Sequence, residues 1–435
     1  MKILSKYISA GAAAVGLLFA SVVQAQPTIY PAKAQAQPIA ITGATIHVGN
    51  GTVIEEGTLV FEEGKIAYVG GATTVPANAK VVDGTGKHVY PGFIAPNTNL
   101  GLMEVESVRA TIDDAEVGGN NAHVRSLVAY NTDSKVINTL RSNGILLAQI
   151  TPQGGLVSGQ SSVVQLDAWN WEDAAYDADE GVHINWPTVR FSRYGGGSGT
   201  ASDAQKKRVQ EEKTELEDFL KQAAAYAELG HGPVSNARFN AFVPVFEGKR
   251  KVYVHANKAT DIMEAVSMFK RLGITPVLVG GAEAHLVTDL LVENEVPVIM
   301  LQSHSLPYAT DVDVYLPYRQ AKMLSDAGVL VAYSIEGFWQ QRNLPFMAGT
   351  GAAYGLDKEQ ALATITSNAA KILGIDDRTG TLEVGKDANI IVSGGDALDM
   401  LGNDIQEAYI QGRDIVLDDL HKQLFERYEF KYSMK

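Results

Sequence analysis

The sequence predicts an α/β protein with a central barrel and a small β-sandwich built from both chain ends. Short runs rich in β-branched residues, separated by glycine turns, occupy residues 39–90 and recur over residues 380–418. Between them, buried strand patterns alternate with helical patterns, which is typical of βα units and fits an (α/β)8 TIM-like barrel. A short meander cannot bury its apolar face alone, so we expect the two terminal groups of strands to pack together.

The elements are assigned from periodicity and turn signals. Predicted strands cover residues 39–48, 57–61, 65–69, 79–83, 88–91, 145–150, 251–255, 276–279, 297–301 and 329–334, with a strand and loop at 158–171. Predicted helices cover residues 136–142, 203–229, 259–272, 282–293, 344–354 and 358–373. In the helix at 203–229, Val209, Leu216 and Leu220 repeat at helical spacing among Glu/Lys pairs. The polar segment 103–132 is predicted to be a long loop over the active face of the barrel.

The first 25 residues have the pattern of a signal peptide. Lys2 and Lys6 accompany an apolar or small-residue run, and Val23-Gln24-Ala25 fits a small-x-small cleavage site. The alternative is an uncleaved membrane anchor. We expect a cleaved peptide at 1–25, a flexible leader at 26–38, a composite sandwich at 39–90 and 380–418, a barrel at 91–379 and a tail at 419–435. The expected location is the periplasm, with no stable membrane anchor after cleavage.

Composition limits the classes of partner. The formal net charge is -14, from 50 acidic and 36 basic residues. This balance argues against nucleic acid and against an anionic membrane surface as partners. The chain has no cysteine, so it has no disulfides and must rest on its hydrophobic core, which a chain of this size can provide. The remaining partners are a small-molecule substrate or ligand and other protein chains.

The segment 89–101 connects the predicted sandwich to the barrel. An apolar run enters a Pro91-Gly92 turn, and a second apolar run ends in Asn97-Thr98-Asn99. Side chains alternate between the two faces of a strand, so Asn97 and Asn99 are predicted to point the same way. The C-terminal end of a barrel strand is where barrel enzymes place their chemistry. Both amides are therefore predicted to bind substrate.

This segment resembles the opening motif of the amidohydrolase superfamily, in which the same turn leads into a strand that ends in His-x-His. The run Gly380-Thr381-Leu382-Glu383-Val384-Gly385-Lys386-Asp387-Ala388-Asn389 resembles the family's Gly-x-Leu-x-x-Gly-Lys-x-Ala-Asp return strand, with Asn389 in place of the last Asp. We expect that change to be harmless. The segments 254–259 and 280–284 resemble the imidazolonepropionase-like branch. The resemblance covers residues 39–418.

The resemblance implies a zinc-type divalent metal. The family holds it with two His of strand 1, often a carboxylated Lys of strand 4, one His each of strands 5 and 6, and an Asp of strand 8; the metal polarises a carbonyl and lowers the pKa of a bound water. Here Asn97 and Asn99 replace both strand-1 histidines, and no histidine stands near Gly280. His255 matches the strand-5 ligand, and Glu336 stands where the Asp is usual. Most expected ligands are therefore missing, and any metal is expected to be weakly held.

The candidate catalytic residues are His255 and Glu336, either of which could be the general base. His255 is also the candidate metal ligand. Asn97, Asn99 and Lys258 are the candidate substrate-binding residues. Simpler interpretations stay open: His255 could be a satisfied interior histidine, Glu336 could cap the following segment, and Lys258 could be a solvated helix start.

Two functions are compatible with these patterns. The first is an exported amidohydrolase-like hydrolase that cleaves a carbon–nitrogen bond in a non-peptide or cyclic amide. The alternative is a metal-free pseudoenzyme that serves as a ligand- or partner-binding subunit. The chain could form a homo-oligomer, or a hetero-oligomer with an amidohydrolase that keeps an intact His-x-His motif.

Overall fold

The structure is a computed structural model that describes residues 29–189, 202–230, 235–307 and 312–433. The signal peptide predicted at residues 1–25 lies outside the described residues and stays a prediction. Ala32–Lys435 forms one compact unit, and every element below belongs to it. Within the described ranges, no helix combines the length and the apolar character needed to cross a membrane.

The strands of the described residues form two sheets of eight strands each. In chain order they are β1 (Ile39–His47), β2 (Val53–Glu62), β3 (Lys65–Gly70), β4 (Lys80–Asp83), β5 (His88–Pro91), β6 (Phe93–Thr98), β7 (Ile145–Ile150), β8 (Val157–Gln165), β9 (Ala175–Asn185), β10 (Lys251–Ala256), β11 (Val277–Gly280), β12 (Val298–Met300), β13 (Val331–Tyr333), β14 (Ile390–Ser393), β15 (Ile405–Ile410) and β16 (Arg413–Asp414). The first sheet contains β1–β5 and β14–β16, and the second contains β6–β13.

The first sheet joins the two ends of the chain. Its strand order is β16-β15-β14-β5-β1-β2-β3, and β4 pairs with β1. β5 and β14 are antiparallel neighbours, with Val89 opposite Val392. The sheet curls until the main chain of Lys65 bridges to that of Asp387, and a core of mainly aliphatic side chains fills the curl. The predicted β-structure built from both chain ends is confirmed, and the expected sandwich is a single curled sheet.

The second sheet is a nearly closed barrel in the order β13-β12-β11-β10-β9-β8-β7-β6. Its strands include near-continuous apolar runs because both faces are covered; every residue of β7 and of β11 is buried. The predicted eight-stranded α/β barrel is confirmed. β8 runs antiparallel to both neighbours, because only residues 151–156 separate it from β7 and a parallel crossover needs a longer connection.

β9 is a strand that has no counterpart in the sequence prediction. Its sequence AYDADEGVHIN contains Asp177, Asp179, Glu180 and His183, and charged residues of this kind are depleted in strands. In the structure Glu180 is 3% exposed and His183 is fully buried. Buried titratable side chains need partners inside the protein, and those partners form the candidate site described below.

A main-chain segment bridges the gap between β13 and β6. Tyr333 N–H donates to Thr364 O at 3.2 Å, and Ile94 N–H donates to Ile365 O at 2.8 Å. Thr364 and Ile365 lie in the gap between two helices, whereas the sequence predicts one continuous helix there. The helix breaks because these two carbonyls accept hydrogen bonds from barrel strands instead of from the next turn of a helix. The local spacing of apolar residues does not reveal those partners.

Helices surround the barrel, and the last element of the described chain is also a helix. The α-helices of the described residues are Lys135–Ser142, Trp171–Ala174, Asp203–Glu228, Ala237–Asn240, Val243–Phe246, Ala259–Arg271, Thr288–Glu293, Leu316–Asp326, Leu344–Ala353, Lys358–Ala363, Ser367–Leu373 and Leu420–Ser433, and the 3-10 turns are Arg109–Thr111, Ser126–Ala129, Ala284–Leu286 and Gln340–Asn343. The longest helix begins with a capping box between Ser202 and Gln205. The helix predicted at 282–293 is shorter in the structure, because a 3-10 turn replaces its first part. The predicted tail contains a helix of its own.

A buried ion triad couples the two sheets. Asp167 Oδ1 accepts a hydrogen bond from Arg141 Nη1 at 2.6 Å, and Asp167 Oδ2 accepts one from Arg413 Nη1 at 3.0 Å. The side chains of Asp167 and Arg141 are only 1% and 4% exposed. Asp167 follows β8 of the barrel and Arg413 lies on β16 of the curled sheet, so the triad connects the C-terminal strands to the barrel.

Candidate functional site

Asn97 and Asn99 lie where the chain leaves β6. The strand ends at Thr98, and Asn97 has a left-handed backbone with a φ of 53°. The pairing with β7 slips between Ala95 and Thr98, so side chains do not alternate regularly here. The alternation on which the prediction for the two amides depends is therefore absent.

The two amides have different surroundings. Asn97 N–H donates to Gln149 Oε1 at 2.8 Å, whereas Asn99 Nδ2 donates to Asp114 Oδ2, in the following loop, at 3.4 Å. The side-chain oxygens of both amides, and the hydroxyl of Thr151 at the end of β7, are buried without a hydrogen-bond partner in the described parts of the chain. Leaving such atoms unpaired costs free energy, so they mark a place where a polar ligand or water would bind.

His255 lies at the C-terminal end of β10 and is partly exposed. Its Nε2 is 2.9 Å from Nδ1 of His183. Trp186 N–H donates to His255 O at 3.1 Å, which ties the end of β9 to it. Burial lowers the pKa of His255 to about 4. Burial, with the neighbouring His255, lowers the pKa of His183 well below its ordinary value. Both imidazoles are therefore neutral at neutral pH.

The hydrogen bonds continue from His183 into the barrel interior. His183 Nε2 is 2.8 Å from Ser161 Oγ, and Ser161 Oγ donates to Glu180 Oε1. Gln149 Nε2 donates to the same carboxylate oxygen at 2.6 Å, and Tyr253 OH donates to Glu180 Oε2 at 2.7 Å. Burial raises the pKa of Glu180, although the hydrogen bonds from these three donors act in the opposite direction. One network thus links β7, β8, β9 and β10.

Glu336 and Lys258 lie outside this network. Glu336 is exposed, and its N–H donates to Gln302 Oε1 at 3.0 Å. Lys258 stands at the start of a helix, and its Nζ donates to Val189 O at 3.2 Å. Among the described residues, no hydrogen bond joins the Glu336 carboxylate to His255.

The residues present do not fit the metal centre that the resemblance implies. Within the described ranges, no three His, Cys, Asp or Glu side chains are arranged to hold a metal ion. His255 Nε2 is already hydrogen-bonded to His183, and the strand-1 positions carry neutral amides, which suit zinc less well than imidazole. We therefore do not assign His255 as a metal ligand.

Position 280, near which the resemblance would place the strand-6 histidine, is unfavourable for a side chain. Gly280 has a φ of 97°, and a Cβ there would lie 2.6 Å from Asn257 Oδ1. That oxygen also accepts a hydrogen bond from Ala282 N–H at 3.3 Å. His285, the nearest histidine along the chain, lies on a 3-10 turn after the strand. The left-handed backbone and the Asn257 side chain therefore both disfavour a larger residue at position 280.

A cavity of about 550 Å³ lies beside the end of β9. Trp186 and Thr188 line one wall, and Arg208 and Glu212 of the longest helix line another. Trp186 is 4% exposed, and its indole N–H has no acceptor among the described residues. Because the main chain of Trp186 is hydrogen-bonded to that of His255, the cavity adjoins the strand end that carries His255.

Sequence reasoning identified one member of the network, His255. Gln149, Ser161, Glu180 and His183 were missed, because the resemblance directs attention to metal ligands and because β9 was not recognised as a strand. The available signal was a cluster of three acidic residues and a histidine within residues 177–183. If such a segment is a buried strand, its titratable side chains need hydrogen-bond partners inside the protein.

The double substitution Asn97→His, Asn99→His should not restore metal binding. The left-handed backbone at 97, the loop contact of Asn99 and the glycine at 280 leave too few ligands for a zinc site, which needs three or four. Metal content after incubation with zinc and desalting, measured by mass spectrometry beside the wild type, tests this. Stoichiometric zinc in the double variant, with none in the wild type, would contradict this expectation.

Comparisons with known proteins agree with this architecture. A family model described as "Amidohydrolase family" matches residues 318–414. The chain is 24% identical over 391 residues to an imidazolonepropionase of Mesorhizobium japonicum, covering 78% of this chain and 87% of that protein. It is 32% identical over 142 residues to a 5-methylthioadenosine/S-adenosylhomocysteine deaminase of Moorella thermoacetica, covering 29% of this chain and 32% of that protein. It is 33% identical over 118 residues to amidohydrolase tasK of Hapsidospora irregularis, covering 25% of this chain and 12% of that protein.

Solved structures show the same fold. An amidohydrolase from Thermotoga maritima MSB8 has a TM-score of 0.73 at 24% identity, over 87% of this chain and 99% of that chain. Molinate hydrolase has a TM-score of 0.55 at 16% identity, over 88% of this chain and 95% of that chain. The family match and the imidazolonepropionase relatives support placing the chain in the amidohydrolase superfamily, in its imidazolonepropionase-like branch. Members of this family usually bind a divalent metal, and the described residues of this chain form no clear group for one.

Proposed function

We propose that this protein hydrolyses a carbon–nitrogen bond in a small non-peptide or cyclic amide, without a resident metal, and that His255 is the general base. The observation that supports this most is the position of His255: it is a neutral, partly exposed imidazole at the C-terminal end of a barrel strand, oriented by a hydrogen bond to His183. Relatives named imidazolonepropionase and deaminase support a reaction at a carbon–nitrogen bond.

His255 keeps one ring nitrogen for the reaction. Because Nε2 is bonded to His183, Nδ1 is the nitrogen that accepts a proton from a water molecule. The water oxygen attacks the amide carbon, and the carbon–nitrogen bond breaks when the leaving nitrogen receives a proton. The net change converts an amide and water into an acid and an amine.

Buried polar atoms near the strand ends support a small polar ligand. Asn97 Oδ1 and Thr151 Oγ1 can accept hydrogen bonds and Trp186 Nε1 can donate one, and none has a partner in the described residues. A ligand that carries both a donor and an acceptor, as an amide does, would satisfy such atoms and gain affinity by doing so. Of these three residues, Trp186 lines the cavity beside the end of β9.

The test is hydrolysis by protein stripped of metal with a chelator. A panel of cyclic amides, imidazolones and N-acyl compounds is incubated with the stripped protein, and products are detected by mass spectrometry. We expect turnover of at least one compound at a rate that added zinc does not increase. Turnover that appears only after metal is added would contradict the metal-independent mechanism.

A second candidate is a pseudoenzyme that binds a ligand or a partner chain. The backbone of Gly280 favours it, because a side chain there would have to adopt a left-handed conformation and displace the side chain of Asn257. Such a protein would bind members of the same panel without product, or would associate with an amidohydrolase that keeps an intact His-x-His motif. Export to the periplasm remains part of the proposal and rests on the signal-peptide pattern of residues 1–25; fractionation of cells that make the full chain tests it.

A further inference from the structure

A line of hydrogen bonds leads from the barrel mouth into its interior through His255, His183, Ser161 and Glu180. The first two links measure 2.9 Å and 2.8 Å, and Ser161 Oγ contacts Glu180 Oε1 directly. His255 is partly exposed, whereas the other three side chains are at most 3% exposed. We propose that these four side chains form a proton wire, which transfers to Glu180 the proton that His255 takes up and returns it afterwards.

The hydrogen bonds have one direction when Glu180 is a carboxylate. A carboxylate can only accept, so Ser161 donates to it. Ser161 Oγ then accepts from His183 Nε2–H, and His183 Nδ1 accepts from His255 Nε2–H. His255 Nδ1 is left with its lone pair, which is the form that a general base requires.

The same atoms accommodate one more proton when every hydrogen bond reverses. A proton binds His255 Nδ1, and the proton on His255 Nε2 passes to His183 Nδ1. The proton on His183 Nε2 passes to Ser161 Oγ, and the hydroxyl proton of Ser161 passes to Glu180 Oε1. Glu180 is now a neutral acid that donates to Ser161, and His255 Nδ1–H is a donor. One proton has entered and neither histidine carries a charge.

The surroundings favour Glu180 over the two histidines as the place where the proton is stored. Burial raises the pKa of Glu180, with the nearby Asp177 adding to the effect, and burial lowers the pKa of His255 and of His183. The ring of Tyr253 stacks on His183 with 4.5 Å between centroids, and its hydroxyl donates to Glu180. The histidine pair thus packs against an aromatic face, which offers no carboxylate to stabilise an imidazolium.

The proton wire depends on the proposed function only for its role in catalysis. In hydrolysis the proton wire lets His255 take a proton from water and later give one to the leaving nitrogen, without holding an imidazolium in a site that disfavours it. Glu180 does not touch the substrate, so it is a positioning residue that acts through Ser161 and His183.

The test is ¹⁵N NMR of the full chain labelled at histidine, with the His255 signals assigned from the variant His255→Gln. As the pH falls, we expect the two ring nitrogens of His255 to exchange roles, Nδ1 changing from acceptor to donor and Nε2 from donor to acceptor. In Glu180→Gln the exchange should be lost. An amide cannot take up the proton, and the Nε2–H of Gln149 keeps the new amide oxygen facing Ser161.

Two further variants keep the test informative if Glu180→Gln folds poorly. Ser161→Ala removes the hydroxyl that links the histidines to Glu180 and should abolish the exchange. Tyr253→Phe removes one donor to Glu180 while leaving the proton wire intact, so it should move the exchange to higher pH. His47 and His88, whose ring nitrogens are 3.1 Å apart in the curled sheet, are the internal control, and their ¹⁵N signals should be unchanged by these substitutions.

Two results would overturn the proton wire. One is a wild-type His255 that becomes protonated on both nitrogens as the pH falls, and the other is an exchange that persists in Ser161→Ala. The outcome also separates this inference from the proposed function. Exchange without turnover in metal-stripped protein supports the proton wire and overturns the hydrolase, whereas turnover without exchange supports the hydrolase and overturns the proton wire.

Discussion

Replacing Asp167 with alanine should lower the free energy of unfolding by about 3–5 kcal/mol, which is the typical cost of leaving a buried charge without its partner. Asp167 accepts hydrogen bonds from Arg141 and Arg413. Burial lowers the pKa of Arg141 and Asp167 raises it, so the guanidinium depends on this carboxylate. Arg141 is 3% exposed, so water cannot replace the lost partner.

The matched control for Asp167→Ala is Asp414→Ala. Asp414 Oδ2 lies 2.9 Å from Lys80 Nζ, but the two side chains are 51% and 45% exposed, and exposed pairs contribute only about 0–1 kcal/mol. Urea unfolding followed by tryptophan fluorescence measures both variants against the wild type. Equal losses for the two variants would show that the buried triad contributes no more than a surface pair, and the coupling of the two sheets would then need another explanation.

Replacing His255 with alanine should lower kcat/KM for any substrate of the protein by about 10²–10⁴-fold, the usual contribution of a general base. The loss should fall mainly on kcat, because proton transfer contributes in the transition state and little to substrate binding. Steady-state kinetics on metal-stripped protein measures both parameters. A decrease of less than about tenfold, below the usual range for a general base, would remove His255 from the role of base.

His88→Ala is the matched control for His255→Ala. His88 is also a partly buried histidine that contacts a buried histidine, His47, but it lies on β5 in the curled sheet. Its removal should disturb folding to a similar degree and leave kcat/KM unchanged. Comparing the thermal unfolding of the two variants separates a lost base from a damaged fold.

Activity of the wild type should rise with pH and then level off, because the general base must be free of its proton. The midpoint of that rise belongs to the coupled hydrogen-bond network as a whole.

Local pattern was sufficient for much of the architecture. The helix predicted at 203–229 is observed at Asp203–Glu228 because its apolar spacing and its capping box are both encoded within one short segment. Strand β7 is observed over the predicted residues because an unbroken apolar run bounded by turn signals has few other solutions. The resemblance to amidohydrolases supplied the connection between the chain ends, which no local pattern contains.

The candidate site depended on contacts between distant segments. β9 looks like a loop by composition, and it is a strand because its buried groups find partners elsewhere: Glu180 accepts from Tyr253, which is 73 residues away. The left-handed backbone of Asn97 and the helix break at Thr364 and Ile365 likewise arise from demands of the barrel. By itself the sequence determined the class of fold, the resemblance to amidohydrolases and the position of His255 at a strand end. Tertiary structure alone decided the hydrogen-bond network around Glu180 and the crowding at position 280, because hydrogen-bond partners and free space are set by residues far apart in the chain.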